Sequence, residues 1–361
     1  MITISLCMIV KNEEQSLARC LQSIRDIVDE IIIVDTGSTD RTKETAAAFG
    51  ALIFDLAWND NFGEARNFAF SKANMDYILW LDADDEVVEE DRLKFVELKR
   101  TLESSVDSVM MHYYLGFNAD NQVTTSLRRN RLVRRACGFR WEGPVHEVLL
   151  VSGNIIHSDI AITHKKDKPY TDRNLRIYRQ RAAANESFTP RDLYYFANEL
   201  KDHDCKEEAI DYYERFLATK LGWSEDCFAA CLKMGDCYAK LENRKLQIRS
   251  LLRTLLYGKP RAEMCCRLGA LFLEEQRLDL AVHWFHSATT LGEPKGYAGV
   301  VDYSAWTWLP HLQLCLCYDR LGDTSKAQLH NEIAAVYNPA HPSIVHNQAY
   351  FATIRREERL I

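Results

Sequence analysis

Two periodicities in one chain predict an α/β domain followed by an all-α domain of helical repeats. Over residues 1 to about 120, short apolar, β-branched runs alternate with stretches that repeat apolar residues every three or four positions. After about 170 only the helical period remains. A chain of 361 residues also exceeds what one core usually fills, and 47% apolar residues suffice for two. The expected division is 1–170 and 171–361.

In the first part, ITISLCMIV, EIIIVD, ALIFDL and DYILWLD read as strands, and EEQSLARCLQSI, TKETAAAF and FGEARNFAFSKA as helices between them. The order β-α-β-α-β-α-β implies a parallel sheet with helices on both faces, whose ligands bind beyond the carboxyl ends of the strands. Those ends carry KNEE, DTGSTD and DADDE. LRRNRLVRR, GFRWEGPVHEVLL and NIIHSDIAITH complete the domain as strands and loops, and the basic stretch KKDKPYTDRN leads into the helices.

The second part carries a weak repeat. Ala197, Gly235, Gly269 and Cys315 occupy like positions 38, 34 and 46 residues apart, around the 34 of a tetratricopeptide unit. An alanine follows three of them at twelve residues, as Ala209, Ala281 and Ala327, and Pro260, Pro294 and Pro339 close the last three units. GEPKGYAGVVDYSAWTW reads as an insertion before the last unit. Small residues belong where paired helices approach closely.

Composition excludes several classes. Forty-five basic against 52 acidic residues give a net charge of -7, which offers no general attraction to nucleic acid or an anionic membrane. No stretch approaches the ~20 apolar residues of a membrane helix. The N-terminal run of about nine apolar residues lacks a basic flank and a cleavage site, so it reads as a strand of a cytoplasmic protein. Eleven cysteines, eight of them after residue 200 on apolar helical faces, read as reduced, buried thiols.

The chemistry concentrates in YILWLDADDE, where an apolar strand runs into four carboxylates. Asp82 and Asp84, two apart, can reach one hard cation with oxygen ligands; Mg2+ or Mn2+ so held handles a nucleoside diphosphate. Asp85 and Glu86 read as a solvated helix start. In VDTGSTDRT, Ser38 or Asp40 caps the next helix, which leaves Asp35 for a base or ribose hydroxyl. Lys11, Asn12 and Glu13 either open the first helix or belong to the site. Arg66, on a helix with an apolar opposite face, is either a surface charge or a site residue. Arg128, Arg129, Arg131, Arg134 and Arg135 lie on a strand whose alternate members face one side, where they hold a diphosphate or an acceptor, with the rest solvated.

Taken in order, MIVKNEE, IIIVDTGSTDRT, GEARNFA and LWLDADDE resemble the family 2 glycosyltransferases, inverting enzymes with the nucleotide-diphospho-sugar fold called GT-A. RRNRLVRR and FRWEGPVHE are similar to a subgroup that includes lipopolysaccharide core glucosyltransferases and sublancin-type peptide S-glycosyltransferases. The latter also carry a tetratricopeptide-like C-terminal half. The resemblance covers most of the chain. It implies that Ile9, Lys11 and Glu13 line a uridine pocket, that Asp35 contacts the uracil and that Arg66 approaches the base or diphosphate. Asp82 would touch the ribose or the metal, Ala83 the nucleotide sugar, and Asp84 the metal directly. His164 falls where related enzymes bring a histidine to the metal or diphosphate, although a lone histidine at a strand end also serves structure. The late Glu-Asp pair that supplies the base in many members is missing, which leaves Glu147 or His146.

The resemblance therefore implies a divalent-cation-dependent transferase that moves a sugar from a UDP-sugar to a peptide or protein side chain. The helical repeats would recruit that acceptor or form a homodimer. A saccharide or lipid-linked acceptor in cell-surface polysaccharide synthesis is the alternative, and a repeat scaffold with a degenerate transferase half is the rival of another class.

Overall fold

The computed structural model describes residues 1–118, 121, 123–165, 171–292 and 300–358. Pro294, with 166–170 of KKDKPYTDRN and 293–299 of the insertion before the last repeat, falls outside them. Two compact units emerge, one of residues 1–115 and 126–187 and one of 116–125 and 188–361.

The first unit contains the strands β1 (Ile4–Val10), β2 (Glu30–Asp35), β3 (Leu52–Asp55) and β4 (Tyr77–Trp80), with helices α1 (Leu17–Ser23), α2 (Thr42–Ala48) and α3 (Phe62–Phe70) between them. β3, β2, β1 and β4 lie side by side in parallel, as the alternation predicts. Successive side chains leave opposite faces of a strand. Thus Ile4, Leu6, Met8 and Val10 join Leu17 and Leu21 of α1 on one side, while Cys7, Val34, Ile78 and Trp80 meet Ala69 of α3 on the other. A strand covered on both faces reads as a continuous apolar run.

After β4 the chain makes β5 (Asp85–Glu86), α4 (Glu89–Thr101), β6 (Ser108–Phe117), β7 (Val123–Arg134), β8 (Arg140–Glu142), β9 (Val148–Leu150) and β10 (Ile155–His164). The sheet continues from β4 through β7, β6 and β10 to β5. Asp85 and Glu86 are therefore not the solvated helix start that their acidity suggested. They form a short strand antiparallel to β10, with His164 opposite Asp85. The acidic first turn belongs to Glu89, Glu90 and Asp91 of α4 instead, where carboxylates complement the helix dipole. α5 (Arg173–Ala183) also belongs to the first unit, where Tyr178 of α5 donates to the Val145 carbonyl at 3.4 Å and Arg176 pairs with Asp60 at 3.0 Å. Its helical period does not say which core it joins.

In the second unit, α6 (Pro190–Asp202), α7 (Lys206–Ala218), α8 (Ser224–Lys240), α9 (Arg244–Arg253), α10 (Ala262–Glu274) and α11 (Leu278–Thr290) form three sequential pairs. α12 (Tyr303–Trp306) precedes a further pair, α13 (Trp308–Arg320) and α14 (Thr324–Tyr337), and α15 (Pro342–Glu358) follows. The repeat residues lie at the helix contacts. Ala197, Ala209, Ala281 and Ala327 are wholly buried, and a Cβ on Gly269 would sit 2.8 Å from the Phe285 ring. All eleven cysteines are free and nine are buried, so they act as small apolar side chains. Among the described residues no helix is long and apolar enough to cross a membrane.

The Gly269 contact yields a prediction. Gly269→Ala forces the ring of Phe285 or the helix pair apart and should cost about 1–3 kcal/mol, as overpacking does. The effect is read as a lower urea midpoint, and an unchanged midpoint would show that the pair yields freely.

Candidate active site

The parallel strands bring KNEE, DTGSTD and the DADDE loop to one edge, as expected. The first two loops are stitched together. Ser38 Oγ accepts the Asn12 N–H at 2.9 Å, Asn12 Oδ1 accepts the Thr39 N–H at 2.8 Å, and Thr42 Oγ1 accepts the Glu13 N–H at 2.7 Å. Neither Ser38 nor Asp40 caps α2 in the expected way: the N-cap position is Arg41, Ser38 serves the neighbouring loop, and Asp40 accepts from the Thr42 N–H at 3.0 Å. Glu13 accepts the Ser16 hydroxyl at 2.6 Å, while Lys11 is exposed and Ile9 half-buried beside them.

Asp35 divides its oxygens between two situations. Oδ1 accepts the N–H groups of Gly37 and Ser38 at 2.9 and 2.8 Å, so the residue does hold its turn, contrary to the sequence reading. Oδ2 is buried without a hydrogen-bond partner among the described residues. Such an orphaned acceptor is costly unless a ligand supplies a donor.

α3 explains the GEARN stretch residue by residue. Its N-cap Asn61 accepts the Glu64 N–H at 3.0 Å. Gly63 lets the GPVHE loop approach, because a Cβ there would lie 2.6 Å from the Gly143 carbonyl oxygen. Asn67 clamps β8 with both ends of its amide, donating to the Trp141 carbonyl and accepting its N–H, each at 2.9 Å. Arg66 is thereby aimed inward and is only 8% exposed, not a surface charge. Its Nη2 donates to Asp82 Oδ1 at 2.7 Å and its Nε to Glu147 Oε1 at 2.6 Å, and its guanidinium lies 5.0 and 4.8 Å from the Trp80 and Trp141 ring centroids. Burial favours a neutral Asp82 carboxyl, but Arg66 and then Arg131 outweigh it and hold the group well below the usual carboxylate range.

Sequence reasoning missed Arg131, Asp85 and Tyr113. Arg131 and Asp85 are wholly buried and ion-paired at 3.0 Å, with the Arg131 guanidinium 4.0 Å from the Trp80 ring and 4.3 Å from the Tyr113 ring. Asp85 Oδ2 also accepts the Asp82 N–H at 3.0 Å, and Oδ1 accepts the Tyr113 hydroxyl at 2.9 Å. The Tyr113 hydroxyl oxygen also lies within hydrogen-bond distance of His164 Nδ1, at 3.0 Å. This chain of contacts fixes the histidine.

Asp84, Asp85 and His164 form a cluster able to hold a cation, each offering a ligand atom within 4.8 Å of the others. The donor set of carboxylates and one imidazole fits a divalent ion. Within it Asp85 already has partners on both oxygens, whereas the Asp84 and His164 side chains are about a quarter exposed and lie 3.5 Å apart. Burial, reinforced by Asp82 and Asp85 against the relief offered by His164, pushes the Asp84 carboxyl up to about 6. His164 is pushed up too, through its contact with Asp85 and the charges of Asp84 and Asp82. A cation is what that crowd of negative charge favours. The structure thus brings Asp84 and His164 together with Asp85 in the place expected for Asp82, whose Oδ1 turns to Arg66, and Ala83 is buried. His146, at φ 50°, stacks against Tyr178 with ring centroids 6.5 Å apart, next to the Glu147 that Arg66 holds.

The carboxyl ends of the parallel strands, where ligands bind in open α/β sheets, thus gather acidic groups, a cluster able to hold a cation and an orphaned carboxylate oxygen. Residues 5–150 match the profile of glycosyl transferase family 2. A TPR repeat-containing protein of Synechococcus elongatus is 32% identical over 88% of this chain and 74% of its own length. The glycosyltransferase SunS of Bacillus subtilis is 28% identical over 60% of this chain, which spans about half (53%) of that protein. An uncharacterized glycosyltransferase of Rickettsia typhi is 38% identical over 26% of this chain and 32% of its own. The chain thus carries a family 2 glycosyltransferase domain, with tetratricopeptide-like repeats in its C-terminal half.

Removing one member of a buried ion pair strands the other charge, at a cost of about 3–5 kcal/mol. Arg131→Met should therefore lower stability by that amount, seen as a marked drop in the urea midpoint. Wild-type stability in this variant would mean that Asp85 finds another partner.

Proposed function

We propose that the first unit transfers a sugar from a UDP-sugar to a peptide or protein side chain with inversion at the anomeric carbon. The observation that carries the reading is the grouping at one strand edge of the Asp84–His164 pair, the Arg66–Asp82 ion pair and the unpartnered Asp35 Oδ2. Uracil offers a ring N–H that a carboxylate oxygen accepts, which suits Asp35. Ile9, Lys11 and Glu13 line the same pocket in this reading. Asp82, held anionic by Arg66, accepts from the ribose.

The residues present fit a divalent cation, Mn2+ or Mg2+, on Asp84 and His164 with Asp85 behind them, and when bound it would offset the charge of a departing diphosphate. The acceptor nucleophile attacks the anomeric carbon as the bond to the diphosphate oxygen breaks, and the acceptor proton passes to a base. We assign that base to the GPVHE loop. Glu147 has Oε1 committed to Arg66 and keeps Oε2, and His146 is its neighbour. The resemblance to sublancin-type peptide S-glycosyltransferases and the paired helices of the second unit support a peptide or protein acceptor over a saccharide or lipid-linked one.

Calorimetric titration of UDP should show binding that strengthens at least tenfold with Mn2+ in the wild type and loses that gain in Asp84→Ala. Binding of UDP that ignores Mn2+, without turnover of any UDP-sugar, would favour a scaffold with a degenerate transferase half. Absence of binding would overturn the UDP assignment.

A further inference from the structure

Three guanidinium groups surround the Trp80 ring, with Arg131 at 4.0 Å, Arg66 at 5.0 Å and Arg129 at 6.0 Å from its centroid. Two are matched. Arg66 has Asp82 and Glu147, and Arg131 has Asp85.

Arg129 has neither a hydrogen bond nor an ion pair among the described residues, and its Nε is buried without a partner. It precedes Arg131 by two residues on β7, so both leave the same face of the strand. β7 runs antiparallel to β4 with Leu79 opposite Leu132 and Tyr77 opposite Arg134. Continuing that register sets Arg131 across from Trp80 and Arg129 level with Asp82. The Arg129 guanidinium also lies 5.7 Å from the Tyr113 ring, the same ring that holds His164 through its hydroxyl. It is half-buried. A guanidinium has five N–H donors and is expensive to remove from water unless acceptors replace the water.

We infer that Arg129 binds the diphosphate of the nucleotide-sugar donor and is the protein's own cation for the leaving group. The inference rests on the donor reading above. The planar fork suits phosphate oxygens, and the Trp80 and Tyr113 rings lie close beside it. The bond broken and the proton moved are those of the proposed transfer, and Arg129 takes up no proton itself.

The test compares three ligands, UDP, UMP and uridine, titrated with Mn2+ present into the wild type, Arg129→Gln and Arg129→Lys, with thermal melts to establish that each variant is folded. Loss of a charged hydrogen-bonding contact should weaken UDP by about 10- to 100-fold in Arg129→Gln. Uridine should bind as in the wild type, UMP should fall between, and Arg129→Lys should recover part of the loss for UDP alone. Equal UDP affinity in wild type and Arg129→Gln would overturn the inference while leaving the donor reading intact, and so would equal weakening of UDP and uridine. A wild type that binds no UDP would overturn the donor reading and the inference with it.

Discussion

The buried Arg131–Asp85 pair is the constraint on which the strand edge depends. Both partners are wholly removed from solvent, and the pair joins β7 to the short strand after β4. Neither charge can be buried alone, so the loop from Asp82 to Asp85 has to take the one path that delivers Asp85 to the guanidinium. On that path the Asp82 N–H meets Asp85 Oδ2 and the Asp85 N–H meets the Asp82 carbonyl, which closes the turn. Asp84 is then left between two fixed neighbours, with its carboxylate toward His164. Asp85, whose own oxygens are both engaged, thus decides where the more accessible Asp84 carboxylate points.

Trp80 gives that constraint its shape. It stands at the end of β4 with Trp141 edge-on to it and the Arg66 and Arg131 guanidinium groups over its ring, while its Nε1 donates to the Asn130 carbonyl at 2.6 Å. A flat guanidinium stacks on such a ring and still presents its N–H groups in the plane to carboxylates, which an ammonium on a flexible stem cannot do. The same site built with lysines would keep the charges and lose their directions. An aromatic residue at the close of a strand that leads into aspartates is therefore part of the site and not only part of the core.

Much of the fold was legible in the sequence because parallel strands covered on both faces leave a direct trace, as in EIIIVD and DYILWLD, and because Gly269 and Ala281 mark helix contacts by size alone. The placement of the site was legible where a residue closes a strand, as with Asp35 and Asp84 at one sheet edge. What failed was the ranking of like residues. Asp82, Asp84, Asp85 and Glu86 are equal carboxylates in the sequence, and only the antiparallel register of β5 with β10 and the arrival of Arg131 from β7 tell them apart. Asp35 shows the opposite error, since a single carboxylate holds its own turn with one oxygen and leaves the other without a partner among the described residues. Local pattern does not show such divided duty.

The loops themselves argue that binding residues and structural residues are not separate sets here. KNEE and DTGSTD hold each other through Asn12, Ser38, Thr39 and Thr42, and each supplies what the other's backbone lacks. Asn12 adopts φ 55° within this arrangement, a left-handed conformation that asparagine tolerates better than most side chains. Those polar groups are spent on one another, while Asp35 Oδ2 stays buried beside them without a hydrogen-bond partner among the described residues. A loop that satisfies its own backbone in this way needs no ligand to hold its shape in water.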